Sequence, residues 1–170
     1  MRLEVYEMAG SDLDRIMELE PKAFTCPWTR GMYERELEKK ESCYLTIRTD
    51  GTIIAYGGVL LLLEEAHVMT MAVMHEYRRR GVATRLLLEM IRSAEAMGAR
   101  FITLEVRVSN HPAIELYKGF GFQIMGERKN YYMDNFENAL IMWTEDITSP
   151  EYRRHLESLW RGCQDHGQAG

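Results

Sequence analysis

A chain of 170 residues, 46% of them hydrophobic, has the length of one domain and enough apolar material for a core. Its net charge of −5 argues against a general nucleic-acid binder, which needs a basic face to displace counterions. Cys26, Cys43 and Cys163 are an odd number without CxxC spacing, so they suggest neither a disulfide framework nor a zinc site, and a reducing compartment is expected.

Residues 2–7 alternate apolar and polar, with Leu3 and Val5 on one side, and predict a short first strand. The same N-terminal stretch lacks the apolar core of a signal peptide. Ser11 or Asp12 stands where a cap belongs for a helix bearing Leu13, Ile16, Met17 and Leu19. That helix should end before Thr25-Cys26-Pro27-Trp28-Thr29, and a second follows through Met32, Tyr33 and Leu37. Cys43 to Arg48 and Ile53 to Leu63 read as strands joined at Asp50-Gly51, a hairpin signal because glycine accepts positive φ. The longest aliphatic run, Val59 to Leu63, falls far short of the ~20 residues a membrane span needs, so a soluble cytoplasmic protein without a membrane partner is expected.

His67 to Met74 is a further apolar strand. Leu86, Leu87, Met90, Ile91 and Ala94 recur at helical spacing, with Gly98 at the C-terminal cap position. Phe101 to Val108 returns to strand character, and Pro112 opens a short helix through Ile114, Leu116 and Tyr117. Phe122 to Glu127 and Ala139 to Trp143 complete the strands, with an aromatic loop between them. This order predicts an α/β domain of α+β layered type with one mixed sheet, spanning residues 1–146. Residues 147–170 form a polar extension, with an amphipathic helix over Glu151 to Trp160 and disorder over the last eight residues.

Chemistry begins between the strand at 67–74 and the helix starting near Ala83. Arg78, Arg79, Arg80 and Gly81 precede Val82, Ala83 and Thr84 there. A helix N-terminus offers unpaired amides and partial positive charge, and glycine lets a phosphate approach them. No GxxxxGK[ST] pattern is present, which argues against an ATPase-type loop. Taken alone, the segment reads equally as a basic turn.

About 25 residues on stand Leu104-Glu105-Val106-Arg107-Val108-Ser109-Asn110, then Ala113-Ile114-Glu115-Leu116-Tyr117-Lys118-Gly119-Phe120-Gly121-Phe122. With the Arg-x-x-Gly-x-Ala loop, this string resembles the GCN5-related N-acetyltransferase (GNAT) family over roughly residues 3–145. It is closest to the RimI-type ribosomal-protein alanine N-acetyltransferases and related protein N-terminal acetyltransferases. The resemblance implies a mostly antiparallel sheet of about seven strands, splayed at the cofactor site and flanked by about four helices. It also implies acetyl-coenzyme A as co-substrate. The backbone of Met71, Ala72 and Val73 would pair with the pantetheine arm, and the amides of Arg79 to Thr84 would receive the pyrophosphate. Asn110 would bond the cofactor from the open end of its strand. Ala83 stands where the family often has glycine.

Acetyl transfer needs a neutral amine, charge stabilisation at the thioester oxygen and a proton for the departing thiolate. Glu105 lies mid-strand on the face opposite Ile102, Leu104 and Val106. A carboxylate there is unusual, and it reads either as a salt-bridge partner of Arg107 or Arg128 or as a general base. The resemblance assigns it the base. Roughly a tenth of an α-amine of pKa near 8 is neutral at pH 7, against less than about 0.1% of a lysine amine, so an N-terminal acceptor asks less of that base. Tyr117 on its amphipathic helix reads as packing, and the resemblance makes it the general acid. The Val73 N–H is the expected oxyanion donor. The five histidines make no metal-spaced pair, and no metal is expected.

Pro27 and Trp28 resemble the RimI-type turn at the acceptor entrance, and Tyr131 and Tyr132 resemble the loop that holds the acceptor backbone. These imply a protein N-terminus as acceptor, first of all the N-terminal alanine of a small-subunit ribosomal protein, and a monomeric or weakly dimeric enzyme. A lysine or small-molecule amine acceptor would want an acidic cleft, for which Glu64-Glu65 is the hint. A catalytically silent acyl-CoA-binding module would have no need of Glu105, Asn110 and Tyr117 together.

Overall fold

The computed structural model describes residues 1–168. Strand β1 (Glu4–Glu7) leads through a 3-10 turn into helices α1 (Leu13–Ala23) and α2 (Arg30–Leu37). Strands β2 (Ser42–Thr49), β3 (Thr52–Leu62) and β4 (Glu65–Val73) precede helix α3 (Val82–Met97). Strand β5 (Phe101–Arg107), helix α4 (His111–Gly119), strands β6 (Gln123–Arg128) and β7 (Ala139–Trp143) and helix α5 (Pro150–Gln168) follow. The sheet order among the described residues is β1-β2-β3-β4-β5-β7-β6, antiparallel except where β4 meets β5. The expected sheet is therefore present, with five α-helices among the described residues where about four were expected. No helix among the described residues is long and apolar enough to cross a membrane.

Local rules account for most of these boundaries. Asp50 and Gly51 both take positive φ, 49° and 74°, the backbone of a two-residue hairpin whose twist matches the strands. Gly98, at φ 105°, closes α3 by donating its N–H to Glu95 O at 2.9 Å. Thr29 caps α2 through Met32 N. The expected cap of α1 is a correction. Neither Ser11 nor Asp12 caps it with a side chain, because the Asp12 carboxylate accepts the Ala9 N–H and pairs with Arg48 at 2.8 Å.

Two apolar cores face opposite sides of the sheet. One gathers Leu86, Leu87 and Ile91 of α3 with Ile114 of α4 and Phe120 just after it against Ile47, Ile54 and Ile102. The other packs Leu13, Ile16 and Leu19 of α1 with Tyr33 of α2 over Tyr44 and Tyr56. Burying each such side chain contributes on the order of 2 kcal/mol. Within the second core lies a carboxylate, Glu20, only 1% exposed. It accepts the Tyr33 hydroxyl at 2.9 Å, the Trp28 N–H at 3.0 Å and the Tyr56 hydroxyl. Burial first, and then this carboxylate, push both phenols well above their ordinary pKa, so they remain donors.

Helix α5 is longer than the expected Glu151–Trp160, and the tail expected to be disordered is helical as far as Gln168. Residues 169 and 170 lie outside the described residues. The helix runs antiparallel along α3. Arg153 pairs with Glu95 at 2.6 Å, and Trp160 lies between the guanidiniums of Arg85 and Arg92, 4.2 and 3.8 Å from its ring centroid. The Tyr152 hydroxyl donates to Phe120 O at 2.8 Å, fastening α5 to the end of α4.

The feature that positions the site is the short β4–β5 pairing. Only Glu65, Ala66 and His67 pair with Phe101, Ile102 and Thr103. The closed end is locked by Arg100, whose guanidinium meets Asp146 at 2.6 Å and Glu64 at 3.5 Å, and whose backbone N–H donates to Glu64 O at 2.8 Å. Hydrogen bonds from Thr148, and then Arg100, hold the Asp146 carboxyl down at about 2. Beyond His67, the β3 register jumps from Val59↔Val68 to Gly58↔Thr70, leaving Met69 as the extra residue of a β-bulge. A bulge bends its strand, and β4 stays on β3 while β5 goes its own way with β7.

Replacing Glu20 with Leu should strand two phenol donors and one amide in the core. The expected loss is about 3 kcal/mol of unfolding free energy, read from chemical denaturation.

Candidate active site

Where β4 and β5 part, the β5-facing edge of β4 has no strand to bond. Met74 N donates to Ile54 O at 2.9 Å, so the alternation of strand amides turns the N–H groups of Val73 and Met71 toward the gap and that of Ala72 toward β3. Arg78 reaches back to donate to Val73 O at 3.0 Å. The edge thus presents two amide donors in an extended backbone, suited to an amide-bearing chain laid in the gap.

The loop after β4 supplies the anion end. Gly81 is the N-cap of α3 with φ 75° and no side-chain cap, and Arg79 also takes positive φ, 61°. No acidic residue stands in the first turn of α3, so the orphan amides of Val82, Ala83 and Thr84 carry their dipole charge uncompensated. A Cβ built on Gly81 meets nothing within 4 Å, which leaves open space before these amides. Arg78, Arg79 and Arg80 are exposed around it, and Arg15, Lys22 and His75 line an adjoining cleft between α1 and the end of β4. Open amides, guanidiniums and an unpaired strand edge fit the pyrophosphate and pantetheine of a coenzyme A thioester.

Glu105 lies two residues past Thr103, the last β5 residue paired to β4, and is half-buried. Of the two salt-bridge readings, the structure makes the one with Arg128, at 3.6 Å. Arg128 is 55% exposed, and such a pair is worth less than about 1 kcal/mol, too little to hold the carboxylate from other work. Tyr117 is 8% exposed and spans the gap, its hydroxyl 3.9 Å from Met71 Sδ and its ring 5.6 Å from that of Phe122. Burial first, then Tyr132, push its phenol up to about 12. It therefore stays protonated at neutral pH, as a donor must. Asn110 is spent in part: its Oδ1 caps α4 through Ala113 N at 3.3 Å, so only its amide end is free toward a cofactor.

The two loops expected to receive the acceptor are brought together across the sheet. The Trp28 ring packs tilted against Tyr33 at 5.2 Å, its backbone N–H bonds Glu20 and its side chain is partly buried, while Pro27 is exposed. Tyr131 and Tyr132 meet edge to face at 5.1 Å, and both feel the charge of Glu105. Thr25 Oγ1 donates to Asp134 at 2.7 Å, a direct bond between the loops. Sequence reasoning passed over Arg107, except as a partner for Glu105, and over Asp134 and Glu20. Glu64-Glu65, the acidic hint, sits at the closed end with Arg100 and not at this mouth.

The acetyltransferase (GNAT) family matches residues 13–122. A Bacillus subtilis (strain 168) protein assigned as a ribosomal protein bS18-alanine N-acetyltransferase is 42% identical over 140 residues, 82% of this chain and 93% of that one. The chain belongs to the acetyltransferase (GNAT) family. The crystal structure of the ribosomal-protein-S18-alanine N-acetyltransferase from Escherichia coli superposes with a TM-score of 0.79 at 28% identity, covering 88% of this chain and 97% of that one. The Arabidopsis thaliana NAA60 structure in complex with acetyl-CoA shares the fold, with a TM-score of 0.76 at 18% identity over 84% and 97% of the two chains.

Replacing Gly81 with Val should strain the left-handed backbone at a cost of about 1–2 kcal/mol and narrow the approach to the amides. Coenzyme A affinity, measured by isothermal titration, should fall by about tenfold or more, while the melting temperature drops by only a few degrees.

Proposed function

We propose that this acetyltransferase modifies the N-terminal α-amine of a protein in the cytoplasm, with the N-terminal alanine of a small-subunit ribosomal protein as first candidate. The observation that carries this reading is the pair of aromatic loops joined by Thr25 and Asp134, with Tyr131 and Tyr132 within electrostatic reach of Glu105. A groove walled on two sides suits an extended peptide entering end-on, and the names of the Bacillus subtilis and Escherichia coli relatives point to the same acceptor class.

Acetyl-coenzyme A supplies an activated acetyl thioester in this reading. The chain's own residues then divide the work. The edge of Met71 to Val73 and the amides of Arg79 to Thr84 orient the cofactor, with the free amide of Asn110 at the open end of β5. The Val73 N–H faces the gap as a fixed dipole where negative charge develops on oxygen. Glu105 takes the proton released by the amine, directly or through a water, and Tyr117 gives its phenolic proton to the leaving sulfur. Pro27, Trp28, Tyr131 and Tyr132 shape the acceptor entrance.

Incubation with acetyl-coenzyme A and peptides beginning Ala, Ser or Met, beside Nα-blocked lysine peptides, should release thiol with free α-amines only. Turnover of the blocked lysine peptides alone would move the acceptor to a side chain. Glu105→Gln should lose most rate below about pH 8, where an α-amine is protonated, and recover toward wild type above it. An unchanged pH–rate profile would remove the base. Tyr117→Phe should lower kcat by about 100-fold while leaving both KM values within a few-fold.

A further inference from the structure

We infer that Arg107 is the positioning residue that closes the two acceptor loops into one groove, and that acceptor recognition depends on it. The inference deepens the reading above and rests on it for the identity of the acceptor. Arg107 stands two residues from Glu105 on the same face of β5. One terminal nitrogen, Nη2, lies 3.0 Å from each carboxylate oxygen of Asp134 and 3.4 Å from Thr25 Oγ1. The other, Nη1, meets Asn135 Oδ1 at 3.1 Å and Glu137 Oε2 at 3.5 Å. Its guanidinium also lies 3.8 Å from the centroid of the Tyr132 ring. A single planar cation thus touches the loop after α1, the loop after β6 and one of the tyrosines proposed to hold the acceptor.

The loop it holds would not keep this shape unaided. Asn130 and Phe136 both occupy the left-handed region, at φ 53° and 56°, and a bulky residue there is strained by about 1–3 kcal/mol. Glu137 is secured independently by the Ser109 N–H at 3.1 Å and the Ser109 hydroxyl, so the β7 end of the loop is held without Arg107. Asp134 has no such anchor from Ser109, and hydrogen bonds from Thr25 first and then Arg107 draw its carboxylate below its ordinary pKa. Lysine would supply the charge without the fork, so it could not reach Asp134, Asn135, Thr25 and the ring together. Among the described residues, the hydrogen bonds, ion pairs and ring contact of the Arg107 guanidinium go to these two loops and not to β4 or α3. Its role should therefore be visible on the acceptor side and silent on the cofactor side.

The test compares the wild-type chain with Arg107→Met, Arg107→Lys and Asp134→Asn, using acetyl-coenzyme A and an alanine-starting peptide, with hydrogen exchange on the free proteins. Peptide KM should rise more than tenfold in both Arg107 variants and by less in Asp134→Asn, with acetyl-coenzyme A KM within twofold throughout. Amide exchange should quicken in segments 24–29 and 131–138 together, and not in α3. An unchanged peptide KM, both constants drifting with a falling melting temperature, or faster exchange in the second segment alone would each overturn the proposal. A wild-type chain inactive on alanine peptides, but with the two segments still coupled in exchange, would sink the acceptor reading and leave the clasp standing.

Discussion

Strands β4 and β5 run parallel for three residue pairs and then separate, and the site exists because they do. A complete pairing would satisfy the amides of Met71 and Val73 within the sheet and leave no edge for a ligand. The cost of leaving a strand edge open is kept low by two devices. Arg100 rivets the paired end through Glu64 and Asp146, and the bulge at Met69 lets β4 follow β3 without tearing the ladder on that side.

The elements around the gap divide its chemistry. Helix α3 begins at one mouth with open amides and a left-handed glycine, a backbone suited to an anion. Helix α4 lies across the gap and lowers Tyr117 onto Met71, in surroundings dry enough to keep the phenol protonated. Strand β5 carries Glu105 just beyond the last pair, where a carboxylate meets solvent and the acceptor loops together. Helix α5 supports these elements from outside the gap, clamping α3 through Trp160 and Arg153 and the end of α4 through Tyr152.

The acceptor side is assembled differently from the cofactor side. The cofactor end is mostly backbone, whose geometry follows from strand and helix formation. The acceptor end is two loops, and loops have to be held by side chains. Glu20 holds the first from beneath through the Trp28 amide, and Arg107 holds both from the floor of β5. One anchor is a buried anion with three donors and the other a half-covered cation with several acceptors.

Much of this was legible along the chain. The strands and helices follow from alternation, helical spacing, Asp50-Gly51 and Gly98, because hydrophobic periodicity and caps act over a few residues. Glu105 and Tyr117 could be nominated because a carboxylate in mid-strand is conspicuous and because the surrounding string resembles the GNAT family. The bulge was invisible, since Met69 sits in an apolar run that reads as continuous strand, and only pairing with β3 shows the extra residue. Arg107 was passed over for the same reason. Its partner Thr25 is 82 residues away and Asp134 is 27 away, so nothing near it in the chain marks it as a hub. The full length of α5 was also hidden, because polar residues at its end gave no period and its hold comes from arginines on α3. Local order was thus written in short-range stereochemistry, while the gap and the joining of its two loops awaited contacts made only when distant segments met.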